Sequence, residues 1–380
     1  MDQINQISQT GQLNNWLLYI TAFACAFGLS LFSTPLAKKL SIKLGAVSYP
    51  NERSMHKEPM PQMGGLAIVI GVIITLAVLM PFVPELRTAQ FYGFLAGALV
   101  IIILGMLDDI YSLRPSAKLA FQIVAALIAI FTGTEINTVT WPFTTYFETL
   151  AVPITLIWIV GVTNAVNLID GLDGLAAGVC AIYAVCLIAL CSFTGNYLAV
   201  IFCATLAGSC IGFLPRNFSP AEVFMGDTGA LFLGYAFAVT SIMGVFKTYA
   251  LLSIIIACFA LALPIFDTAF AIVRRTISGR SFSAADRGHL HHRLINMGFS
   301  HAKAVAILYV LAAVTGVMSI FIALRDIRAL LVIAAVAFIL LISFYAYGRR
   351  VLNEGRSSDK RPDITAGPDG ARESTEKQQP

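Results

Sequence analysis

The sequence predicts an all-α fold, arranged as a polytopic integral membrane protein of about eleven transmembrane helices. Of the 380 residues, 58% are hydrophobic and 12% are charged, and the mean hydropathy is +0.80. This composition excludes a water-soluble domain of the same length. Each helix that crosses a bilayer core of about 30 Å needs about 17–25 apolar residues. Runs near this length occur, in order, at 16–37, 65–84, 91–107, 117–132, 151–167, 174–193, 197–214, 229–246, 249–273, 303–324 and 328–347.

The positions of the lysines and arginines predict the orientation of these segments. If the segments alternate in direction, nearly all of the basic residues fall in the loops of one side; the exceptions are Arg87, Lys247, Arg325 and Arg328. In membrane proteins the excess of basic residues marks the cytoplasmic loops. We therefore expect the N-terminus outside and the C-terminus in the cytoplasm. A single transmembrane domain should span 1–351, followed by a disordered cytosolic tail at 352–380.

Polar residues suited to chemistry lie in four loops on the predicted cytoplasmic side, and the first holds Asp108 and Asp109. On a helix, neighbouring residues point about 100° apart, so we expect the two carboxylates to have different partners. One alternative is a helix end that faces water, with one aspartate capping the turn. A pair of charges at the edge of a membrane segment is costly, and this cost favours a functional role.

The second loop extends from Asn164 to Gly174. If it is helical as far as Asp170, then Asn164, Asn167 and Asp170 lie on one helix face. An ordinary Asp-Gly turn, in which Asp173 caps the following helix, explains Asp173 but leaves the other three polar residues unexplained. The spacing therefore favours a binding face.

The third loop, at 224–229, directly precedes the eighth segment. Free amides at a helix N-terminus bind anions, whereas Asp227 at this position either caps the helix or holds a cation that bridges to phosphate. Magnesium binds one or two protein carboxylates and keeps its other sites for water and substrate phosphates. Asp227 together with Asp170 could supply such a pair.

The fourth loop carries three histidines between two arginines, namely Arg287, His289, His291, His292 and Arg293. Three histidines without a cysteine or a spaced carboxylate make a poor zinc site, and the arginines repel a cation. Histidine and arginine donors directed at a phosphorylated substrate fit the pattern better. A solvated basic loop that contributes only to topology is the remaining alternative.

Taken together, five motifs in order along nearly the whole chain resemble the polyprenyl-phosphate N-acetylhexosamine-1-phosphate transferase family. They are Pro50-Asn51 through Met63-Gly64-Gly65, Leu107-Asp108-Asp109, Asn164 to Gly174, Val223 to Gly229 and His289 to Leu294. Members of this family move a sugar phosphate from a UDP-sugar to a lipid carrier. The His-Leu-His-His-Arg-Leu form is similar to the bacterial branch that uses UDP-N-acetylglucosamine, which includes enzymes that start teichoic acid and O-antigen synthesis. The branch that uses UDP-muramoyl-pentapeptide has a run of three histidines instead.

The resemblance also implies roles for individual residues. It implies Asp108, Asp109, Asp170 and Asp227 as catalytic carboxylates, with Asp227 binding Mg²⁺. We expect Asp170 to bind the metal or to lie in its shell, and Mn²⁺ is the alternative ion. It implies that Phe224 stacks on the uracil ring. The full set expected to bind substrate, from the loops and the resemblance together, is Asn164, Asn167, Gly171, Asp173, Asn217, Phe224, Asp267, Arg287, His289, His291, His292 and Arg293.

The expected reaction is transfer of GlcNAc-1-phosphate from UDP-GlcNAc to undecaprenyl phosphate at the cytoplasmic face of a bacterial plasma membrane. The first alternative is the same chemistry with another UDP-N-acetylhexosamine, such as UDP-MurNAc-pentapeptide. A secondary transporter and an intramembrane aspartyl protease are rivals from other classes. The transporter predicts a repeated architecture, and the protease needs neither the asparagines nor the histidine loop. Besides the two substrates and membrane lipid, we expect no nucleic-acid partner, and a homodimer is compatible with the sequence.

Overall fold

The computed structural model describes residues 2–50, 58–136, 138–139, 145–146, 149–193, 195–244, 265, 294–295, 297–324, 328, 331–332 and 335. In these ranges the chain forms nine α-helices. They are α1 (Asp2–Leu44), α2 (Gly65–Leu79), α3 (Ala89–Tyr111), α4 (Pro115–Phe131), α5 (Ala151–Ile169), α6 (Leu175–Phe193), α7 (Tyr197–Asn217), α8 (Gly226–Gly244) and α9 (His301–Ala323).

Each predicted segment that falls on described residues is a helix, because an apolar run of bilayer length satisfies its backbone hydrogen bonds only within itself. The first helix is longer than the predicted 16–37, since it continues past the apolar run at both ends. The predicted segments at 249–273 and 328–347 lie outside the described residues, apart from a few single positions.

The all-α prediction needs one small correction, because two short strand pairs occur in the loops. β1 (Val47–Ser48) pairs antiparallel with β2 (Met60–Pro61), and β3 (Thr138–Val139) pairs antiparallel with β4 (Thr145–Tyr146). Each strand has only two residues, so these pairs shape loops and leave the helical architecture unchanged.

Helix α8 is the central helix of the bundle. Every residue from Thr228 to Gly244 is buried, and α8 contacts α2, α3, α5, α6 and α7. A helix that is surrounded on all sides is apolar on all sides, as α8 is beyond its first turn. Glycines permit the close crossings: the backbone of Gly65 in α2 lies against Gly229, and Gly105 in α3 lies against Thr228.

Within the described residues, six helices are long and apolar enough to cross a membrane: α1 from Asn15, α3, α5, α6, α7 and α9. Helices α2 and α4 are apolar but shorter. The chain is therefore a polytopic membrane protein. The count of eleven spans and the placement of the termini stay predictions.

The helices alternate in direction, so the C-terminal ends of α3, α5 and α7 meet the N-terminal ends of α4, α6 and α8 at one end of the bundle. The acidic loops that the sequence singled out all fall at this end. A cavity of about 800 Å³ opens between them.

Candidate active site

The cavity brings together most of the site residues that the sequence predicted. Its lining includes, in chain order, Asp108, Asp109, Asp170, Gly171, Asp173, Asn217, Phe224 and Asp227. These residues belong to four separate stretches of the chain. Asp108, Asp170 and Asp227, which the sequence places in loops on one side of the membrane, therefore line one pocket.

Asp109 holds the N-terminus of α8 from the neighbouring helix α3. Its Oδ1 accepts from the Asp227 amide at 2.8 Å, and its Oδ2 accepts from the amide and the hydroxyl of Thr228 at 3.0 and 2.6 Å. A carboxylate at this position satisfies free amides and lies at the positive end of the helix dipole. Because Asp109 supplies this cap, the side chain of Asp227 is not needed as one and faces the cavity.

The loop before α2 fixes the turn before α8 through backbone hydrogen bonds. The Phe224 amide donates to the Pro61 carbonyl at 2.9 Å, and the amides of Gly64 and Gly65 donate to the carbonyls of Phe224 and Met225 at 2.9 and 2.8 Å. Gly226 has a φ of +69°, and a Cβ at this position would collide with the backbone carbonyl of the facing loop. Glycine at 226 is therefore required by both backbone conformation and space.

The carboxylate of Asp227 has a donor on each oxygen. Asn167 donates from Nδ2 to Oδ1 at 2.7 Å, and the Lys118 ammonium donates to Oδ2 at 2.8 Å. Asn167 lies in the last turn of α5 and Lys118 lies in the first turn of α4, so three helices meet at this carboxylate. The predicted polar face of α5 thus reaches the site through Asn167.

The other oxygen acceptor of Lys118 is Asp108. The Lys118 Nζ forms an ion pair with Asp108 Oδ2, and the Leu113 amide donates to Asp108 Oδ1 at 2.7 Å. Asp108 is buried, whereas Lys118 is partly exposed. Lys118 therefore bridges two carboxylates from different helices. The two adjacent aspartates, Asp108 and Asp109, have different partners, as their spacing predicted.

Asp170 ends α5 and lies beside two other acidic side chains. Burial, the Asp227 charge and the Asp173 charge raise the pKa of Asp170 to about 7. Such crowding of carboxylates favours binding of a cation. Burial disfavours the charged form of a carboxylate, whereas a nearby cation stabilises that form. In the described part of the chain, no three His, Cys, Asp or Glu side chains form a group that could hold a metal by themselves. A site for Mg²⁺ needs only one or two carboxylates, and Asp227 and Asp170 are two carboxylates that line this cavity.

Asn164 lies one turn further from the loop and is paired with Gln122 of α4. Its Nδ2 donates to Gln122 Oε1 at 2.6 Å, and its Oδ1 accepts from Gln122 Nε2 at 3.2 Å. Asn164 also lies outside the cavity lining. In this structure the side chain holds α4 against α5, and the substrate-binding role that the sequence predicted for Asn164 stays a prediction.

Asp173 and Asn217 position the loop between α7 and α8. Asp173 accepts from the Ala221 amide at 3.1 Å, which differs from the predicted cap of the following helix. Asn217 is buried, accepts from the Gly174 amide at 3.1 Å and donates to the Val223 carbonyl at 3.0 Å. These bonds join the second and third acidic loops into one wall of the cavity.

Sequence reasoning missed several residues of the cavity, of which Lys118 is the most important. In the sequence Lys118 contributes only to the excess of basic residues, although a lysine inside the predicted segment 117–132 carries a charge that a membrane segment tolerates only with a partner. This cost was the signal that could have identified it. Glu58, Gln62 and His301 also line the cavity, and no pattern in the sequence pointed to them.

Six predicted residues lie outside the described part of the chain. They are Asp267, Arg287, His289, His291, His292 and Arg293. Their implied contacts with the substrate therefore stay predictions.

Comparison with known proteins agrees with this arrangement of loops. Residues 91–245, which contain all three acidic loops, match the family model described as glycosyl transferase family 4. A probable undecaprenyl-phosphate N-acetylglucosaminyl 1-phosphate transferase of Bacillus subtilis is 40% identical over 304 residues, covering 79% of this chain and 84% of the relative. A decaprenyl-phosphate N-acetylglucosaminephosphotransferase of Mycolicibacterium smegmatis is 34% identical over 314 residues, covering 74% of this chain and 76% of the relative.

A relative with a different sugar substrate in its name is more distant. The phospho-N-acetylmuramoyl-pentapeptide-transferase of Staphylococcus saprophyticus is 30% identical over 326 residues, covering 81% of this chain and 98% of the relative. The motifs in the sequence, the convergence of their acidic residues and these similarities agree. The chain belongs to glycosyl transferase family 4, among the polyprenyl-phosphate N-acetylhexosamine-1-phosphate transferases.

Proposed function

We propose that this protein transfers GlcNAc-1-phosphate from UDP-GlcNAc to undecaprenyl phosphate, producing undecaprenyl-diphosphate-GlcNAc and UMP. The observation that carries this proposal is the shared cavity of Asp108, Asp170, Asp227 and Lys118 at one end of a membrane bundle. The product is the first lipid-linked sugar of a cell-envelope glycopolymer. Membership of this family argues against the two rival classes, the secondary transporter and the intramembrane aspartyl protease.

The central difficulty of this reaction is electrostatic. The terminal phosphate of the carrier must attack the β-phosphorus of the donor in line, so two anions must approach each other. Two unit charges at about 4 Å repel by about 4 kcal/mol at an effective dielectric constant of 20. Catalysis therefore depends on positive groups that act on charge developing at the leaving UMP.

We assign different roles in this reaction to the residues in and around the cavity. We assign Asp108 to orienting or deprotonating the carrier phosphate and Lys118 to neutralising phosphate charge. Asn167 holds the carboxylate of Asp227 in a fixed orientation through its hydrogen bond to Oδ1. We assign Phe224, which is half-buried in the cavity wall, to stacking on the uracil ring.

We assign Mg²⁺ to Asp227 and Asp170, because both carboxylates line the same cavity; burial and the neighbouring charges of Asp227 and Asp173 raise the pKa of Asp170 to about 7. When bound, the ion supplies Lewis-acid neutralisation of the donor diphosphate. Mn²⁺ fits the same oxygen donors.

A covalent route is the second possibility for the chemistry. In that route Asp227 attacks the donor as a nucleophile and a phospho-sugar enzyme forms before the carrier reacts. Rapid mixing of enzyme and UDP-GlcNAc without carrier separates the two routes. A burst of UMP equal to the enzyme concentration supports the covalent route, and complete absence of UMP supports direct attack.

The sugar is assigned on the histidine motif and on the names of the relatives. A panel of UDP-GlcNAc, UDP-GalNAc and UDP-MurNAc-pentapeptide, each with undecaprenyl phosphate, tests the assignment. We expect the highest kcat/KM with UDP-GlcNAc. Preference for the pentapeptide donor would move the protein to the alternative branch.

Replacing Asp227 tests the assignment of the metal and the site together. We expect Asp227→Asn in detergent-purified protein to lower UMP release by at least about 1000-fold, because the removed charge acts on the transition state. Its thermal unfolding temperature should stay close to that of the wild type, since Asp109 and not Asp227 caps α8. Near-normal turnover by Asp227→Asn would refute the role of Asp227 in catalysis.

A further inference from the structure

The Lys118 ammonium lies between the carboxylates of Asp108 and Asp227, where its positive charge offsets the charge of both. Its Nζ contacts Oδ2 of Asp108 and Oδ2 of Asp227, while Asn167 holds Oδ1 of Asp227. The Asp108 side chain is 2% exposed, so without a partner its charge would be nearly cut off from water. The ammonium group therefore keeps this pair of carboxylates stable when no other cation is bound.

A divalent ion that binds Asp227 must compete with this ammonium. Both oxygens of Asp227 already accept hydrogen bonds, and the ammonium repels a second cation at the same carboxylate. Lys118 can leave without breaking the fold, because its side chain is 27% exposed and joins the carboxylates through a flexible four-carbon stem. The ammonium leaves at little cost in free energy only when another anion lies close enough to accept its hydrogen bonds.

We propose that Lys118 is a built-in counter-ion that keeps the divalent metal out of the carboxylate site until the donor nucleotide binds. The diphosphate of the nucleotide then accepts hydrogen bonds from the Lys118 ammonium. Oδ2 of Asp227, which the ammonium has left, becomes available to the metal. Metal and nucleotide consequently bind with positive cooperativity. This inference rests on the proposed function, because it requires a nucleotide diphosphate as the donor.

Binding measurements without the lipid acceptor test this role, since they do not depend on turnover. Mn²⁺ serves as the metal probe, followed by the electron paramagnetic resonance signal of the free ion, and UDP serves as the nucleotide probe. The full-length protein in detergent is titrated with and without UDP, and the Mn²⁺ complex of UDP alone is subtracted. The variants are Lys118→Met, Lys118→Gln and the charge-preserving Lys118→Arg.

Without UDP, we expect Lys118→Met and Lys118→Gln to bind Mn²⁺ at least about tenfold more tightly than the wild type. This scale follows from the effect of one charge within about 4–6 Å of a carboxylate, which changes its proton affinity by about 10- to 1000-fold. UDP should tighten Mn²⁺ binding to the wild type strongly and to these two variants much less. Lys118→Arg should behave like the wild type, since it retains the charge.

Lys38→Met is the matched control, because Lys38 lies at the same end of the molecule but pairs with Glu222 outside the cavity. It should leave both Mn²⁺ affinities unchanged. Thermal unfolding in EDTA gives a second readout: loss of Lys118 should lower the unfolding temperature, and Mn²⁺ should restore it.

Two results would overturn the proposal. One is equal Mn²⁺ affinity of the wild type and both neutral variants without UDP, and the other is an equal effect of UDP in all of them. If the wild type still forms UMP from UDP-GlcNAc in either case, the role of Lys118 fails while the proposed function stands. If no UDP-sugar yields UMP, the proposed function fails, whatever the metal titrations give.

Discussion

At the scale of single residues, carboxylates of the same chemistry have different roles because their hydrogen-bond partners differ. Asp108 and Asp109 are neighbours in the sequence, yet the oxygens of Asp109 accept from backbone and hydroxyl groups of α8, whereas Asp108 faces the cation Lys118. The amides of Asn164 and Asn167 divide similarly, one to helix packing and the other to Asp227. Side chains that lie one residue or one helical turn apart therefore have different partners, one in helix packing and the other in the cavity.

Phe224 gives a prediction at the same scale. Base stacking on an aromatic ring contributes about 1–3 kcal/mol. We expect Phe224→Ala to raise the KM for UDP-GlcNAc by about 5- to 150-fold and to change kcat much less, because lost ground-state binding acts on KM. Steady-state kinetics at saturating carrier measures both constants.

A control for this substitution is Phe82→Ala, which removes an exposed phenyl ring that does not line the cavity. Phe82→Ala should leave both kinetic constants unchanged. An unaltered KM in Phe224→Ala would contradict the assignment of stacking.

At the scale of elements, the central helix α8 has an N-terminus that is completed by other parts of the chain. Asp109 of α3 supplies the acceptors for its first amides, and the loop before α2 fixes the preceding turn. This arrangement releases Asp227 from capping and points it into the cavity. We therefore infer that Asp109, which the sequence grouped with the catalytic carboxylates, acts mainly by positioning α8.

Removal of this cap should affect stability as well as activity. Asp109→Ala leaves two amides and one hydroxyl of α8 without their acceptor, and loss of a helix cap costs about 0.5–2 kcal/mol. We expect a lower thermal unfolding temperature in detergent together with reduced UMP release. Differential scanning fluorimetry and the UMP assay on the same preparation measure the two effects.

Glu85→Ala is a suitable comparison, because it removes an exposed carboxylate from a short turn outside the cavity. It should alter neither quantity. If Asp109→Ala unfolded at the wild-type temperature but lost activity, Asp109 would instead act directly in catalysis.

At the scale of the whole molecule, the alternation of helix direction collects the acidic loops at one end. The proposed cytoplasmic position of this end suits the substrates, because UDP-sugars are cytosolic whereas the polyprenyl tail stays in the bilayer. A cavity that opens towards lipid is then required for the carrier. The basic residues at the same end support this orientation.

Reporter fusions test the orientation directly. We expect alkaline phosphatase fused after Arg87 to be active, because this loop should face the outside, and phosphatase fused after Arg114 or after residue 351 to be inactive. A fluorescent protein fused after residue 351 should fluoresce in cells. The reverse pattern of activities would place the cavity outside and contradict the proposed function.

The sequence alone determined the helices that the structure describes, because apolar runs of bilayer length have no alternative to helical hydrogen bonding in lipid. It also singled out the three acidic loops that line one cavity, since charged and amide side chains beside membrane segments are costly unless they have a function. The joint location of Asp108, Asp170 and Asp227 followed from counting segments.

Only the tertiary structure decided how these residues are used. The cap from Asp109 to α8, the bridge of Lys118 and the pair of Asn164 with Gln122 each join residues that are far apart in the chain. Such pairs depend on how the helices rotate and pack against one another. Local periodicity gives the face of a helix but not the neighbour that this face meets, and the neighbour decides which carboxylate is structural and which is available to a substrate.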